Sequence, residues 1–406
     1  MSAPPVVAIL STLDTKEAEA TFLKQEMEAR GGRALLLDMG VMEAPETSAD
    51  FDRAAVAEAG GSTLAELLQE PTRQTASPIM IQGATRILLE RLQQGAIQAV
   101  IGLGGTQGTS NCCAVMQALP YGLPKIMVST VASGDTAPFV GIKDITMMFS
   151  VGDLLGLNPF TRQLLSNAAG AAYGMAMGAG DNWFAKGDKP LIGMTNLGVL
   201  TEGAMHAVER FHEAGYEVIV FHAVGSGGAA MEQMMKEGII GAVFDYALGE
   251  ISDDLFDGLR AGTPDRLTVA GALGLPQVLC PGGSEHIGLM VEANTVPEFY
   301  ANHLHVFHNP IILAPRLSIE QWDAVAEEIG RRLQTTKGKA VMMLPLQGTS
   351  RYAIEGGPLH DPEGDAAFFA TLRQALPPSV QVVECPTHAE DPAFVDEAVA
   401  RLLAML

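Results

Sequence analysis

Glycine- and hydroxyl-rich runs recur in this chain where a short apolar run gives way to a helical pattern. In parallel α/β proteins those are the positions that bind small molecules. The fullest run is residues 100–110, VIGLGGTQGTS, in which a buried-strand pattern leads into Gly104, Gly105, Thr106, Gln107, Gly108 and Thr109 ahead of a helix from about Ser110. Glycines admit a ligand close to the backbone, and N–H groups and hydroxyls at a helix N-terminus cradle phosphate or carboxylate. The run lacks the GxxxxGK[ST] spacing, so it is not a P-loop. The same residues also read as a tight turn under a packed helix.

Three further loops share this logic. Residues 222–228, HAVGSGG, add His222 to Gly225, Gly227 and Gly228. Residues 11–16, STLDTK, offer Ser11, Thr12 and a rare cation, Lys16, while Asp14 and Glu17 are spaced like a capping box. Residues 129–136, STVASGDT, offer Ser129, Thr130 and Asp135, a carboxylate suited to a sugar hydroxyl or Mg²⁺, or to an Asx-turn. Their counterpart in residues 280–286, CPGGSEH, supplies Gly282, Gly283, Glu285 and His286. His222, Glu285 and His286 are the candidate acid/base groups. His303 and His305 would share one strand face, and His286 would complete a metal trio. No spacing fixes a third ligand, so a surface strand or a hydrogen-bonded pair is the preferred reading, and no metal site is assigned.

The elements that position these loops repeat. Residues 7–40 align without a gap over residues 191–224 at an offset of 184. Each segment begins with an apolar strand and then a polar pair, Ser11-Thr12 or Thr195-Asn196. A helix with apolar positions Ala20, Leu23, Met27 or Ala204, Ala207, Phe211 follows, then a glycine and a second strand ending at Asp38 or His222. Residues 95–103 and 124–130 are echoed by 238–246 and 276–282. Strands separated by helical crossovers predict parallel sheets with right-handed connections. The expected fold is therefore α/β, with two Rossmann-like domains at 1–184 and 185–406, a boundary in residues 181–189, and an interdomain ligand cleft at the strand C-terminal ends. Further strands near 340–344 and 380–383, and helices near 362–376 and 392–406, belong to the second domain.

Bulk properties fit. The 406 residues suggest two or three domains, and 48% hydrophobic with 18% charged residues supports full cores. A net charge of −22 repels nucleic acid and anionic membranes, so an anionic ligand must be held by backbone N–H groups, a few cations or a metal. Four cysteines without zinc spacing, and an N-terminus without a basic region, point to the cytoplasm. The apolar stretch 168–180 is short and rich in alanine and glycine, as in a buried helix rather than a membrane span.

Taken together, STLDTK, GLGGTQGT, residues 141–158 (GIKDITMMFSVGDLLGLN), GMTNLGV, FHAVGSGGAAME, LPLQGTS and GGPLHDPEGDAAFF resemble the ATP-binding domain family of the tomato mosaic virus resistance protein. The resemblance covers nearly the whole chain. It implies two Rossmann-like subdomains, ATP as ligand, and a homodimer or higher homo-oligomer in a stand-alone form. The chain departs from the family pattern at Ser284-Glu285-His286-Ile287 and at Tyr352-Ala353. The leading expectation is a nucleotide-binding protein with phosphates on residues 104–109. A hydrolase or lyase acting on a small carboxylate or sugar acid through His222, Glu285 and His286 is the alternative, and a non-catalytic interaction module is the third.

Overall fold

The computed structural model describes residues 3–69, 72–179 and 189–406. Contacts divide the chain into two compact units, Met1–Ala185 and Lys186–Leu406. The expected boundary stretch, 181–189, lies outside the described residues except for Lys189.

The first unit runs β1 (Val6–Ser11), α1 (Leu13–Ala29), β2 (Arg33–Asp38), α2 (Arg53–Ala59), α3 (Leu64–Leu67), α4 (Arg73–Gln93), β3 (Ala99–Gly104), α5 (Thr106–Gln117), β4 (Lys125–Ser129), α6 (Ala137–Val140), β5 (Ile145–Phe149) and α7 (Pro159–Gly178). Its five strands are parallel in the order β2-β1-β3-β4-β5. Alternate residues face opposite layers. Ile9, Leu36, Ile101 and Val128 pack with α1 and α7, whereas Leu10, Leu37, Val100 and Met127 pack with α4 and α5. The alanine-rich stretch forms α7, with Ala168, Ala169, Ala172 and Ala176 buried. No helix among the described residues is long and apolar enough to cross a membrane.

The second unit runs β6 (Leu191–Asn196), α8 (Thr201–Glu213), β7 (Val218–His222), α9 (Ser226–Lys236), β8 (Ile240–Ala247), α10 (Gly249–Leu255), α11 (Val269–Leu273), β9 (Gln277–Gly282), β10 (Leu289–Met290), β11 (His305–Asn309), β12 (Ile312–Pro315), α12 (Ile319–Leu333), β13 (Ala340–Pro345), α13 (Pro362–Ala375), β14 (Val380–Cys385) and α14 (Pro392–Leu403). Six parallel strands lie in the order β7-β6-β8-β9-β13-β14. Counted from each unit's first strand, both sheets read 2-1-3-4-5, with a sixth strand added in the second. Gly31 and Gly215 follow α1 and α8 with φ of 86° and 77°, the left-handed conformation that ends a helix cheaply only at glycine. A small antiparallel sheet, β10-β12-β11, is an addition the sequence pattern did not indicate.

Candidate functional site

In a 2-1-3-4-5 sheet the chain leaves β1 toward β2 across one face and reaches β3 across the other. The loops after β1 and β3 therefore diverge and open a crevice at the strand C-terminal ends. In the first unit this switch point gathers Ser11, Thr12, Gly104, Gly105, Thr106, Ser129 and Thr130 from the ends of three adjacent strands.

Several of these residues have internal duties. The Thr109 Oγ1 and Ser129 Oγ atoms bond at 2.7 Å, the Val131 N–H donates to Ser129 Oγ at 3.1 Å, and the Thr130 N–H donates to the Gly104 carbonyl at 3.3 Å. Gln107 Nε2 donates to Asn111 Oδ1 at 2.8 Å. Gly104 is required by packing, because a Cβ there would lie 2.7 Å from Gly108 Cα. Gly105 differs. It is the N-cap of α5, and among the described residues no side chain caps that helix and a Cβ at Gly105 would meet only Thr130 Oγ1, at 3.8 Å. The first N–H groups of α5 therefore face the crevice without a capping side chain, and the helix dipole adds positive potential there.

Two buried polar atoms lie at the same edge. Ser11 and Asp38 are register partners at the ends of β1 and β2. Asp38 Oδ1 accepts from the Leu13 and Gly40 N–H groups at 3.0 and 2.8 Å, while Asp38 Oδ2 and Ser11 Oγ are buried with no hydrogen-bond partner among the described residues. Burial pushes the Asp38 carboxyl above its usual range, against the pull of its two amide donors. The strand-end position of Asp38 was legible in the sequence, but its place beside the switch point depends on strand order.

The capping-box reading of Asp14 and Glu17 does not hold. Asp14 Oδ2 accepts from the Val41 and Met42 N–H groups, each at 3.2 Å, and Glu17 accepts from the Thr47 N–H. Both carboxylates tie the loop after β2 onto α1, whose N-cap, Thr12, makes no side-chain cap. Lys16 sits at a kink in α1 (φ −130°, ψ 25°), and its ammonium donates to the Thr15 carbonyl at 3.3 Å. Asp135 is exposed and accepts from the Ala137 N–H at 3.0 Å, as an Asx-turn does.

The second unit uses its corresponding residues differently. The Gly225 and Gly228 N–H groups donate to Glu250 Oε1 at 2.6 and 3.1 Å, so a protein carboxylate occupies the α9 N-terminus. A Cβ on Gly228 would lie 2.1 Å from Glu250 Oε2, and one on Gly227 would lie 1.8 Å from the His222 carbonyl oxygen. Glu250 Oε2 accepts from Arg266 Nε at 2.6 Å. Arg266 also forks onto Asp245 at 2.5 and 2.7 Å, and Asp245 accepts from Thr195 Oγ1 at 2.7 Å. Glu232 completes this buried network, 3.6 Å from Arg266, and accepts from the Leu267 N–H at 2.7 Å. Burial raises the Glu232 carboxyl to about 7, with Arg266 opposing the rise. No local pattern signals this network, because its members come from separate segments between β6 and α11.

Glu285 and His286 form a second buried group. Glu285 accepts from Ser350 Oγ, from Thr349 Oγ1 at 2.9 Å and from His286 Nδ1 at 2.9 Å. Arg260 Nη1 lies 3.3 Å from His286 Nε2, and Arg260 grips Asp253 through Nη2 at 2.6 Å. A carboxylate only accepts, so His286 Nδ1 carries a proton and donates it to Glu285. Burial would raise the Glu285 carboxyl, but the His286 ring and the Ser350 hydroxyl facing it hold it at about 2. Gly282 is packed against the Tyr246 carbonyl, where a Cβ would lie 2.3 Å away, and Gly283 has φ of 67°.

His222 is not part of that group. It is exposed at the end of β7, with Nδ1 3.3 Å from the Asn196 carbonyl oxygen, and β6 and β8 separate β7 from β9. Three strand spacings put the ends of β7 and β9 roughly 14 Å apart. Asn196 itself lines a surface groove of about 660 Å³ along α8, with Met205, His212 and Val220. His303 Nδ1 bonds the Arg316 carbonyl at 2.7 Å and His305 Nδ1 the His303 carbonyl at 2.9 Å. Among the described residues no group of three His, Cys, Asp or Glu is placed to hold a metal ion.

Comparison with known proteins gives the family. The N-terminal domain model of the uncharacterised protein family UPF0261 matches residues 5–180, and its C-terminal domain model matches residues 189–406. The chain belongs to the UPF0261 family. A UPF0261 protein of Clostridium tetani is 37% identical over 401 residues, covering 98% of each chain. The ToMV resistance protein Tm-1(GCR237) of Solanum lycopersicum is 31% identical over 336 residues, which are 82% of this chain and 44% of that protein. Among solved structures, a UDP-N-acetylglucosamine 2-epimerase from Rickettsia bellii covers 68% of this chain and 79% of its own at 12% identity and a TM-score of 0.23. This UPF0261 chain thus matches the Clostridium tetani relative end to end, and the tomato protein over less than half of that protein's length.

Proposed function

We propose that the first unit binds a phosphorylated small molecule, a nucleotide such as ATP, at the β1/β3 switch point. The observation that carries this reading is the uncapped N-terminus of α5 at Gly105, set beside Ser11 Oγ and Asp38 Oδ2, which have no partner among the described residues. A phosphate would accept from the first N–H groups of α5, with the hydroxyls of Thr106, Thr12 and Thr130 and the Lys16 ammonium at its margins. Asp38 has an oxygen to spare for a hydroxyl donor, and Asp135 is a carboxylate available to a nucleotide's Mg²⁺. The family resemblance points to ATP. A cytoplasmic homodimer belongs to the same proposal, and light scattering on the intact chain would test the assembly.

Binding is favoured over hydrolysis of a carboxylate or sugar acid by one contrast. The Glu285 carboxylate is already filled by three protein donors, whereas α5 presents donors with nothing capping them. Calorimetric titration of the intact chain with Mg-ATP tests the proposal. Gly105→Val should weaken binding at least about tenfold with little change in melting temperature, because its Cβ enters space bounded only by Thr130 Oγ1. No heat at millimolar nucleotide, or equal binding by the variant, would overturn it.

A further inference from the structure

Residues 150–158, between β5 and α7, are pinned at two points. The Ser150 N–H donates to the Ser129 carbonyl at the end of β4 at 3.0 Å, and the Gly156 N–H donates to Oε1 of the buried Glu19 on α1 at 2.7 Å. Leu154 is buried in the core cluster that also holds Ile9, Ile101 and Val128, and Leu157 packs against that cluster. The sheet order places β3 and β1 between β4 and the α1 side of the β1–β2 pair. A strap fixed at both anchors therefore passes the C-terminal ends of β3 and β1, opposite the face covered by α5.

Between its anchors the strap holds two apolar side chains out of the core. Val151 is 67% exposed and Leu155 is 79% exposed. Val151 also has φ of 61°, a conformation that a β-branched residue adopts only under strain. Ser150 clamps it, because its hydroxyl donates to the Gly152 carbonyl at 2.7 Å while the Gly152 N–H donates to the Ser150 carbonyl at 2.6 Å. Glycine or asparagine would fit this turn without strain, so its structure does not account for a valine.

We propose that this strap is the specificity wall of the site, and that Val151 and Leu155 contact the planar, apolar end of the ligand whose phosphate sits on α5. The inference rests on the nucleotide reading above and assigns the heteroaromatic base to named residues. A phosphate held at the α5 N-terminus lies across the crevice from the strap, so a ligand that spans both must be anionic at one end and planar or apolar at the other.

The test titrates the intact chain, with Mg²⁺, against ATP and against inorganic tripolyphosphate. Val151→Gly relieves the strained φ and Leu155→Ser removes an exposed side chain, so both should fold, and melting curves check that they do. Each variant should weaken ATP roughly tenfold and leave tripolyphosphate within about twofold, whereas Gly105→Val should weaken both ligands. If both strap variants bind ATP like the parent, or lose ATP and tripolyphosphate equally, the wall is wrong and the phosphate site stands. Equal affinity of the parent for the two ligands also overturns the wall. If the parent binds neither, both readings fall.

Discussion

Glu232 shows most directly what burial does to a single side chain here. Its carboxyl is raised to about 7 from the ordinary 4.5, because burial outweighs the attraction of Arg266. A group whose folded pKa lies above its unfolded value stabilises the fold fully below the unfolded pKa, and that contribution is lost as pH rises through the folded one. The melting temperature should therefore fall between about pH 4.5 and pH 7, by up to about 3 kcal/mol in stability, and Glu232→Gln should flatten the profile. Asp365 acts in the same sense up to about 6, since its burial outweighs the pull of Arg316. A profile that rises across this window, or is unchanged in Glu232→Gln, would contradict the account. Arg266→Ala should cost more, about 3–5 kcal/mol in denaturant unfolding, because Asp245 and Glu250 would then be buried without their cation.

Among the elements, the two neighbouring glycines before α5 separate packing from binding. Gly104→Ala places a Cβ 2.7 Å from Gly108 Cα and should destabilise by about 1–3 kcal/mol as α5 is pushed off β3. Gly105→Val should leave the melting temperature nearly unchanged and act on ligand affinity. Equal destabilisation by the two would refute the distinction. The sequence revealed β1, β2, β3 and β4 because buried parallel strands read as short apolar runs, and the glycine loops then followed from the strand ends. Other features were hidden. Asp14 and Glu17 had capping spacing, but their partners, Val41, Met42 and Thr47, lie about thirty residues away in a loop without a pattern. The glycines of 222–228 looked like those of 104–108, yet Glu250 fills their amides from a segment more than twenty residues on. The β10-β12-β11 sheet escaped notice because its strands span two to five residues and lack a sustained alternation.

Across the whole molecule, one strand order occurs twice with different chemistry at the strand ends. The first unit leaves donors uncapped at its switch point. The second neutralises its glycine loop with Glu250 and braces its β9 loop with Glu285 and His286. A net charge of −22 opposes any anionic ligand at long range. Association of ATP should therefore quicken as ionic strength rises from about 0.01 to 0.15 M, where the screening length shrinks from about 30 to 8 Å. Stopped-flow rates that slow over this range would mean a local positive field stronger than the structure provides. Hydrogen exchange of the intact chain with and without Mg-ATP distinguishes a ligand on the first unit's α5 from one on the second unit's α9. Bound nucleotide should slow exchange across residues 104–110 and leave residues 222–228 unchanged. Unchanged exchange at 104–110, or protection confined to 222–228, would contradict the α5 site.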